Sequence, residues 1–150
     1  TIYGTTGGVA EAVVRHCMPD KSRNTLRALE YSPLRGNDSI REATVQVGDR
    51  EIHLAVVHGL IHAQELLKEI DAGNAYYDLI EVMTCPGGCV GGAGQPYGLK
   101  QKKQDRTAGL YAADRSAPFK RAEYNPVVTS MMDAYTPDQR HDLLHVDYTK

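Results

Sequence analysis

Residues 79–96 form the stretch that most constrains what this chain can fold into. Residues 79–83 make an apolar run that reads as a short buried strand. A loop with five glycines and two prolines follows Cys85 and contains Cys89. Glycines at this density let a backbone turn through positive φ or pass close to something bulky. Thiolates on such a loop, at the C-terminal end of a strand, suit a soft metal centre or an iron–sulfur cluster.

Three interpretations of the Cys85-x-x-x-Cys89 spacing compete. Intracellular cysteines are most often buried apolar residues with no ligand. A closed zinc site needs four protein ligands, and Cys17 is the one further cysteine in the sequence. A radical-SAM motif would need a third cysteine at position 92, which is Gly92. The spacing alone therefore leaves buried cysteines and a metal site both open.

The composition narrows the classes of function. The net charge is −2, from 17 Lys and Arg against 19 Asp and Glu, which gives no electrostatic case for nucleic acid or an anionic membrane. No apolar run approaches the roughly 18 residues of a membrane span. Three cysteines and no visible signal peptide predict a cytoplasmic protein without a disulfide framework. The chain also begins without Met inside an apolar segment, so we expect it to be a piece of a longer protein.

The pattern of the middle of the chain predicts an α/β fold. Residues 43–47 and 51–57 alternate around a Gly48–Asp49 turn and predict a β-hairpin. A helix over about 61–72 leads to a strand at 77–83, which implies a parallel pair with ligands beyond the C-terminal ends of its strands. Ile2 would end a further parallel strand. We expect a small, mainly parallel sheet with flanking helices in residues 1–96, and a wrapping helical tail in residues 97–150.

The segment before the first helix has a glycine pattern of its own. Thr5 or Thr6 is available to cap the helix, whose predicted buried face contains Val9, Val13, Val14 and Cys17. Gly4, Gly7 and Gly8 at a helix start could hold an anion on free amides, or could simply make a tight turn. The spacing is not that of a dinucleotide-binding fingerprint.

In the tail, the charged run 100–106 is typical of a solvated helix start, and Pro126 and Pro137 are predicted to begin later helices.

Two segments resemble motifs of the [FeFe]-hydrogenases. Residues 81–96 read EVMTCPGGCVGGAGQP and are similar to the family's last cysteine motif, EVMACPGGCxxGGGQP. Residues 2–12 read IYGTTGGVAEA and resemble the family segment IFGxTGGVMEA. The tail, with Asn125-Pro126 and HDLLH at 141–145, resembles the family's closing segment. The resemblance spans nearly the whole chain and implies the fold and function of this family.

The resemblance also assigns roles to single residues. In the family the first motif cysteine ligates a [4Fe–4S] cubane, and the second also bridges to a two-iron subsite that carries CO and cyanide. Met83 matches a methionine that packs on this subsite, and Tyr3 stands where the family has phenylalanine, adding a hydroxyl that needs a partner. The implied site comprises catalytic residues Cys89, Met83, Tyr3 and Gly4, cofactor-binding residues Cys85, Cys89, Gly7 and Gly8, and metal ligands Cys85 and Cys89.

The resemblance covers only the C-terminal half of the hydrogenase catalytic domain. Two earlier motifs, of the types TSCCP and MPCxxK, supply the family's other two cubane ligands, a proton-relay cysteine and a cyanide-binding lysine. Met18-Pro19 is followed by Asp20 and cannot replace the second motif. The implied parent is an enzyme that interconverts protons, electrons and H₂ at this H-cluster. We expect the isolated chain to carry no cofactor and to be inactive.

The resemblance implies partners as well. They are the N-terminal half of the same catalytic domain, ferredoxin or NADH-linked electron-transfer subunits, and the hydrogenase maturation proteins. No nucleic acid or membrane is expected.

Two other functions stay open at this point. A hydrogenase-like assembly factor would carry iron–sulfur clusters without H₂ chemistry, but those relatives typically read CPSGC where this chain has Gly87-Gly88. An α/β binding module could instead hold a phosphate ligand on its glycine loops. Iron, sulfide and H₂ assays would separate all three.

Overall fold

The structure, a computed structural model, describes residues 2–20, 22, 25–26, 33–36, 38–98 and 100–146. Three strands lie in the middle of this chain, with helices before and after them. The elements in chain order are α1 (Gly8–Cys17), β1 (Ile40–Val47), β2 (Arg50–His58), α2 (Leu60–Asp71), β3 (Leu79–Met83), α3 (Lys100–Ser116), α4 (Pro126–Asp133) and α5 (Pro137–Leu144).

The described strands form one mixed sheet in the order β1-β2-β3. Strands β1 and β2 are antiparallel, and the pair Val47–Arg50 closes the hairpin over a two-residue turn. Strands β2 and β3 are parallel and are connected by α2, with Leu54 opposite Leu79 and His58 opposite Met83. The α/β class, the hairpin, the crossover helix and the parallel pair are therefore confirmed.

Two hydrophobic clusters lie on opposite faces of the sheet. On one face, Leu54 and Val56 of β2 pack with Ala10 and Val14 of α1. On the other face, the next residues in register, Ala55 and Val57, pack with Ala63 and Leu66 of α2. Because neighbouring strand residues point to opposite faces, the central strand β2 is apolar without interruption from 54 to 57. The sheet is thus the middle of three layers.

One predicted strand is not observed. Ile2 is buried, but it precedes a turn and lies in no strand of the described chain. With β1 in the same sheet as the parallel pair, the sheet is mixed rather than mainly parallel.

Helix α1 is oriented differently from the prediction. Val9 and Val13 are each 40% exposed and Cys17 is exposed, whereas Glu11 and Arg15 are 0% and 1% exposed. Val14 alone of the predicted face is buried. The prediction that Cys17 belongs to the core is therefore wrong. Burial of charged groups is tolerated only where they are paired and hydrogen-bonded, so the physical reason lies in their partners.

The partners form a buried ion network that joins α1 to α3. Arg15 donates from Nη1 to Asp114 Oδ1 at 3.0 Å and from Nη2 to Asp114 Oδ2 at 2.9 Å. Arg35 donates to both Glu11 oxygens at 2.8 Å and to Asp114 Oδ2 at 2.8 Å. Burial by itself would raise the pKa of Asp114, but Arg15 and Arg35 outweigh it and hold that pKa well below the usual range. The charged face of α1 is thereby the side that anchors the tail.

The helical character of the region beyond residue 97 is confirmed. Helix α4 begins at Pro126, where the Asn125 side chain accepts a hydrogen bond from Val127 N at 3.0 Å. Helix α5 begins at Pro137 behind a capping box formed by Thr136 and Gln139. The division of the chain at residue 96 stays a prediction. Within the described ranges, no helix has the length and apolar character that crossing a bilayer requires.

Candidate metal centre

The loop after β3 holds two cysteines on successive backbone turns. Gly88 N donates to Cys85 O at 2.9 Å, and Gly92 N donates to Cys89 O at 3.0 Å. Cys85 is half-buried, Cys89 is exposed, and both are free thiols. A Cβ built at Gly92 would lie 3.6 Å from Cys85 Sγ, so the glycine leaves open space beside this sulfur. The loop presents two accessible soft donors from a backbone fixed by its own hydrogen bonds.

This loop lies directly against the segment before α1. Thr6 N donates to Gly87 O at 3.2 Å, and Val90 N donates to Gly4 O at 3.0 Å. Gly88 sits between these bonds with φ +88, and a Cβ there would lie 2.8 Å from Thr6 N and 3.0 Å from Gly4 O. Only glycine permits so close an approach together with this dihedral angle. The structure therefore brings the cysteine loop and the Tyr3–Gly4 turn together, as the sequence predicted.

The remaining predicted residues lie around this contact. Met83 is half-buried at the end of β3, where its carbonyl accepts from Gly59 N at 2.8 Å. Tyr3 is 48% exposed and lines an open groove of about 810 Å³ together with Val9 and Val13. Gly4 is half-buried, and a Cβ there would lie 2.9 Å from Leu110 Cδ1 of α3. Tyr3 therefore adjoins the contact through its neighbour Gly4, and Met83 lies at the strand end that leads to Cys85.

The N-terminus of α1 carries an anion from within the chain. Glu81 of β3 accepts from Gly7 N at 2.6 Å and from Ala10 N at 2.7 Å, and is 7% exposed. A carboxylate at this position is favoured by the amide donors and by the helix dipole. Thr5, one of the predicted caps, instead donates its hydroxyl to Ile2 O at 3.0 Å. The predicted Thr cap is therefore wrong, and the amides of Gly7 and Ala10 are not free for an external anion.

Gly7 and Gly8 allow backbone segments to approach closely. A Cβ at Gly7, where φ is +94, would lie 2.1 Å from Leu34 O, and one at Gly8 would lie 2.1 Å from Ile2 O. Gly8 N donates to Thr5 O at 3.1 Å. These close contacts explain why both positions of the turn are glycine, since a side chain would collide with the neighbouring backbone. Their assignment to cofactor binding stays a prediction.

A residue of the tail also holds the cysteine loop. Arg106 of α3 donates from Nη1 to Val90 O at 3.0 Å and from Nη2 to Pro96 O at 2.6 Å. The charged run at 100–106 was predicted to be solvated, but Arg106 is half-buried and connects the middle of the loop to its end at Pro96. Its guanidinium has the right fork of donors for two carbonyls. Sequence reasoning missed Arg106 because one arginine in a charged run gives no local signal of burial.

The donor set fits part of an iron–sulfur cubane. Such a cluster takes four cysteine thiolates, and Cys85 and Cys89 can supply two of them. In the described part of the chain, no group of three or more His, Cys, Asp or Glu could hold a metal ion. Cys17 is at the far end of α1 from the glycine turn. The residues present therefore fit one side of a cluster, and the other ligands must come from elsewhere.

Comparison with known families gives two matches that cover most of the chain. The family model described as "Iron only hydrogenase large subunit, C-terminal domain" matches residues 1–93. The one described as "Iron hydrogenase small subunit" matches residues 100–150.

Curated relatives agree with these matches. The NADP-reducing hydrogenase subunit HndD of Solidesulfovibrio fructosivorans is 40% identical over 99% of this chain and 26% of its own length. The periplasmic [Fe] hydrogenase large subunit of Nitratidesulfovibrio vulgaris is 40% identical over 75% of this chain and 27% of its own length. The cytosolic Fe-S cluster assembly factor narfl of Xenopus tropicalis is 28% identical over 97% of this chain and 31% of its own length. The chain spans about a quarter to a third of these relatives.

Solved structures match the fold over almost the whole chain. A variant of the [FeFe]-hydrogenase HydA1 from Chlamydomonas reinhardtii is 30% identical, with a TM-score of 0.71 over 97% of this chain and 45% of that one. Another hydrogenase structure, of HydA(deltaEFG), is 30% identical with a TM-score of 0.67.

Proposed function

Because this chain belongs to the iron-only hydrogenase family, we propose that the full-length protein catalyses 2H⁺ + 2e⁻ ⇌ H₂ and that this chain forms one side of the catalytic centre. The observation that carries the proposal is the contact between the Cys85–Cys89 loop and the Tyr3–Gly4 turn. These are the two segments that resemble hydrogenase motifs, and they are far apart in sequence. Their meeting places the half-buried Cys85 and the exposed Cys89 beside the glycine turn.

Each residue at this contact has a proposed role toward the family's H-cluster. Cys85 and Cys89 would hold the cubane, with Cys89 also bridging to the two-iron subsite. This cofactor would supply the redox and hydrogen chemistry. Met83, Tyr3 and Gly4 would line its pocket and limit the access of water, and Gly7 and Gly8 would let the turn approach closely. The residues of this chain would bind and orient the cofactor and shield it from water.

The first partner in this proposal is the rest of the catalytic domain. Val9 and Val13 leave an apolar strip of α1 open beside Tyr3, and the groove of about 810 Å³ continues it to Phe119 and Val128. A surface of this kind next to an incomplete ligand set suits a covering segment that also brings the missing ligands. Electron-transfer subunits linked to ferredoxin or a nicotinamide, and the maturation proteins that insert the cofactor, are the further proposed partners.

An assembly-factor function is the second candidate. Cytosolic Fe-S assembly factors are among the relatives, and the cytosolic iron-sulfur assembly component 3 of Pongo abelii is 34% identical over 89% of this chain. Gly87 adopts φ +85, a conformation that a serine at this position would adopt only with strain. This strain favours a hydrogenase over an assembly factor.

The phosphate-binding alternative loses its main support because the Glu81 carboxylate already accepts from the amides of Gly7 and Ala10 at the start of α1.

The decisive experiment compares two cysteine variants of the full-length protein. After anaerobic reconstitution we expect Cys89→Ser to abolish methyl-viologen-driven H₂ evolution, because the bridging thiolate is lost. Cys17→Ser is the matched control and should keep nearly full activity, since Cys17 is exposed and away from the loop. Equal losses would contradict the assignment. Bound iron and sulfide without H₂ evolution in the wild type would favour the assembly factor.

We further propose a cytoplasmic location. The three cysteines are free thiols, as is usual for proteins kept in reducing compartments. A periplasmic relative exists, so the location needs its own test. Fractionation of the source cells should find the protein with cytoplasmic markers, and recovery with periplasmic markers would contradict this.

A further inference from the structure

The carboxylate of Glu81 connects the two halves of the candidate metal centre. Glu81 lies on β3, four residues before Cys85, and its two oxygens accept from Gly7 N at 2.6 Å and Ala10 N at 2.7 Å. A serine or threonine next to the helix start is the ordinary way to satisfy such amides. Here the cap comes from a residue 74 positions away from Gly7. One side chain therefore connects the strand that leads into the cysteine loop to the turn that contains Tyr3 and Gly4.

Arg41 of β1 binds a backbone carbonyl of the same turn. Its Nη2 donates to Thr6 O at 2.9 Å and to Leu34 O at 3.0 Å, and its Nη1 donates to Gly36 O at 3.0 Å and Asp38 O at 2.9 Å. Arg41 is 7% exposed. The guanidinium thus joins one carbonyl of the turn to three carbonyls of the segment 34–38. Amides on one side and a carbonyl on the other are held by groups of opposite charge.

The contacts of the turn with the cysteine loop depend on these hydrogen bonds from Glu81 and Arg41. Thr6 N donates to Gly87 O, and Gly4 O accepts from Val90 N. Thr6 and Gly4 lie within four residues of Gly7 or Gly8, where the turn packs so closely against Leu34 O and Ile2 O that a Cβ would lie 2.1 Å from either oxygen. Movement of the turn would therefore lengthen the bonds that hold the loop next to Cys85 and Cys89.

We propose that Glu81 is a positioning residue that, opposite Arg41, sets the separation between the Tyr3–Gly4 turn and the Cys85–Cys89 loop. The inference rests on the proposed function for the identity of the site at which they meet. Neither side chain needs to touch the cofactor for this role. Their effect reaches the cofactor through the backbone of residues 4–8 and 87–90.

The test uses the full-length protein with Glu81→Gln, Glu81→Asp and the control Glu51→Gln, which changes an exposed carboxylate of β2. Glutamine keeps the size of the side chain, but its NH₂ group would face an amide donor. In the cofactor-free protein, we expect the amides of Gly7 and Ala10 to exchange hydrogen about tenfold faster in Glu81→Gln. Alkylation of the half-buried Cys85 should also be several-fold faster, whereas β1–β2 amides stay protected.

The reconstituted protein gives the readout that a merely structural role would not change. Glu81→Gln should bind as much iron as the wild type but show a shifted electron paramagnetic resonance spectrum. Glu81→Asp, which keeps the charge, should recover part of the wild-type spectrum and of the amide protection. If glutamine prevents folding, the aspartate variant carries the same comparison.

The outcomes that overturn the proposal are distinct from failure of the proposed function. Unchanged exchange at Gly7 and Ala10, unchanged Cys85 alkylation, or equal loss of protection across the sheet would each contradict positioning by Glu81. A wild-type protein that binds no iron would instead refute the proposed function, while the exchange and alkylation results still decide whether Glu81 fixes the turn against the loop.

Discussion

Helices α1 and α2 cover opposite faces of the same sheet but are held by different forces. Helix α2 buries Ala63 and Leu66 and leaves its polar residues outside, as its periodicity indicates. Helix α1 buries the charged pair Glu11 and Arg15 next to Ala10, and exposes much of its apolar stripe. An apolar period thus identifies which residues share a face. It does not identify the inward face when charged residues of the same helix form buried ion pairs with residues elsewhere in the chain.

The largest loss in the free energy of unfolding is expected when the buried ion network between α1 and α3 is broken. Asp114→Asn removes the carboxylate that Arg15 and Arg35 share and leaves two buried guanidinium groups short of a partner. Loss of one member of a buried ion pair costs about 3–5 kcal/mol. Urea denaturation of the chain should show this loss in the free energy of unfolding. The control Asp133→Asn, at an exposed position of α4, should differ little from the wild type.

A smaller loss is expected on the α2 side of the sheet. Leu66 is 5% exposed and Leu67 is 55% exposed, so they are neighbours with opposite environments. Leu66→Ala should lower the free energy of unfolding by about 2–5 kcal/mol through lost burial and a cavity. Leu67→Ala should change it by less than about 0.5 kcal/mol. Equal effects in the same denaturation experiment would mean that α2 is not held by its apolar face.

Acid should weaken α1 anchoring in a way that has no counterpart on α2. The pKa of Asp114 is lowered in the folded chain, so its contribution is fully present above the unfolded value of about 3.9 and is lost as pH falls toward the folded value. The stability difference between wild type and Asp114→Asn should therefore shrink below about pH 4. Denaturation curves from pH 7 to pH 2.5 measure it. A difference that stays constant over this range would contradict the pairing.

The smallest effect concerns the open strip of α1. In the isolated chain, Val13→Ala should change the free energy of unfolding by less than about 0.5 kcal/mol, because the side chain is 40% exposed. In the full-length protein, where we propose that this strip is covered, the same change should cost about 1 kcal/mol or more. Thermal denaturation of both proteins provides the comparison. Identical small effects would argue against a covering segment at α1.

Local patterns were sufficient to predict much of the fold. Alternation gave the hairpin, and the strand–helix–strand order gave the parallel pair of β2 and β3. The position of Cys85 just after β3 predicted its place beyond the strand ends, and the meeting with Gly4 followed from the resemblance of both segments. Each of these features depends on residues that are close in sequence or on a long specific motif.

The features that could not be predicted depend on single charges far apart in sequence. Gly7 and Glu81 are separated by 74 positions, and Arg15 and Asp114 by 99. A buried charged side chain leaves no periodic signal, because it looks like an ordinary surface charge in its own segment, whether its partner is another charge or a backbone group. The cap of α1, its inward face and the burial of Arg106 all escaped prediction for this reason.

Iron and acid-labile sulfide analysis tests most directly whether this chain supplies one side of a shared cluster. The full-length protein and the 150-residue chain would be reconstituted side by side and then desalted to remove loosely bound iron. We expect a four-iron cluster in the full-length protein, its loss in Cys85→Ser and Cys89→Ser, and no cluster in the chain alone, since two thiolates do not hold a cubane. A stoichiometric four-iron cluster in the isolated chain, or a full-length cluster unaffected by both serine variants, would contradict the assignment.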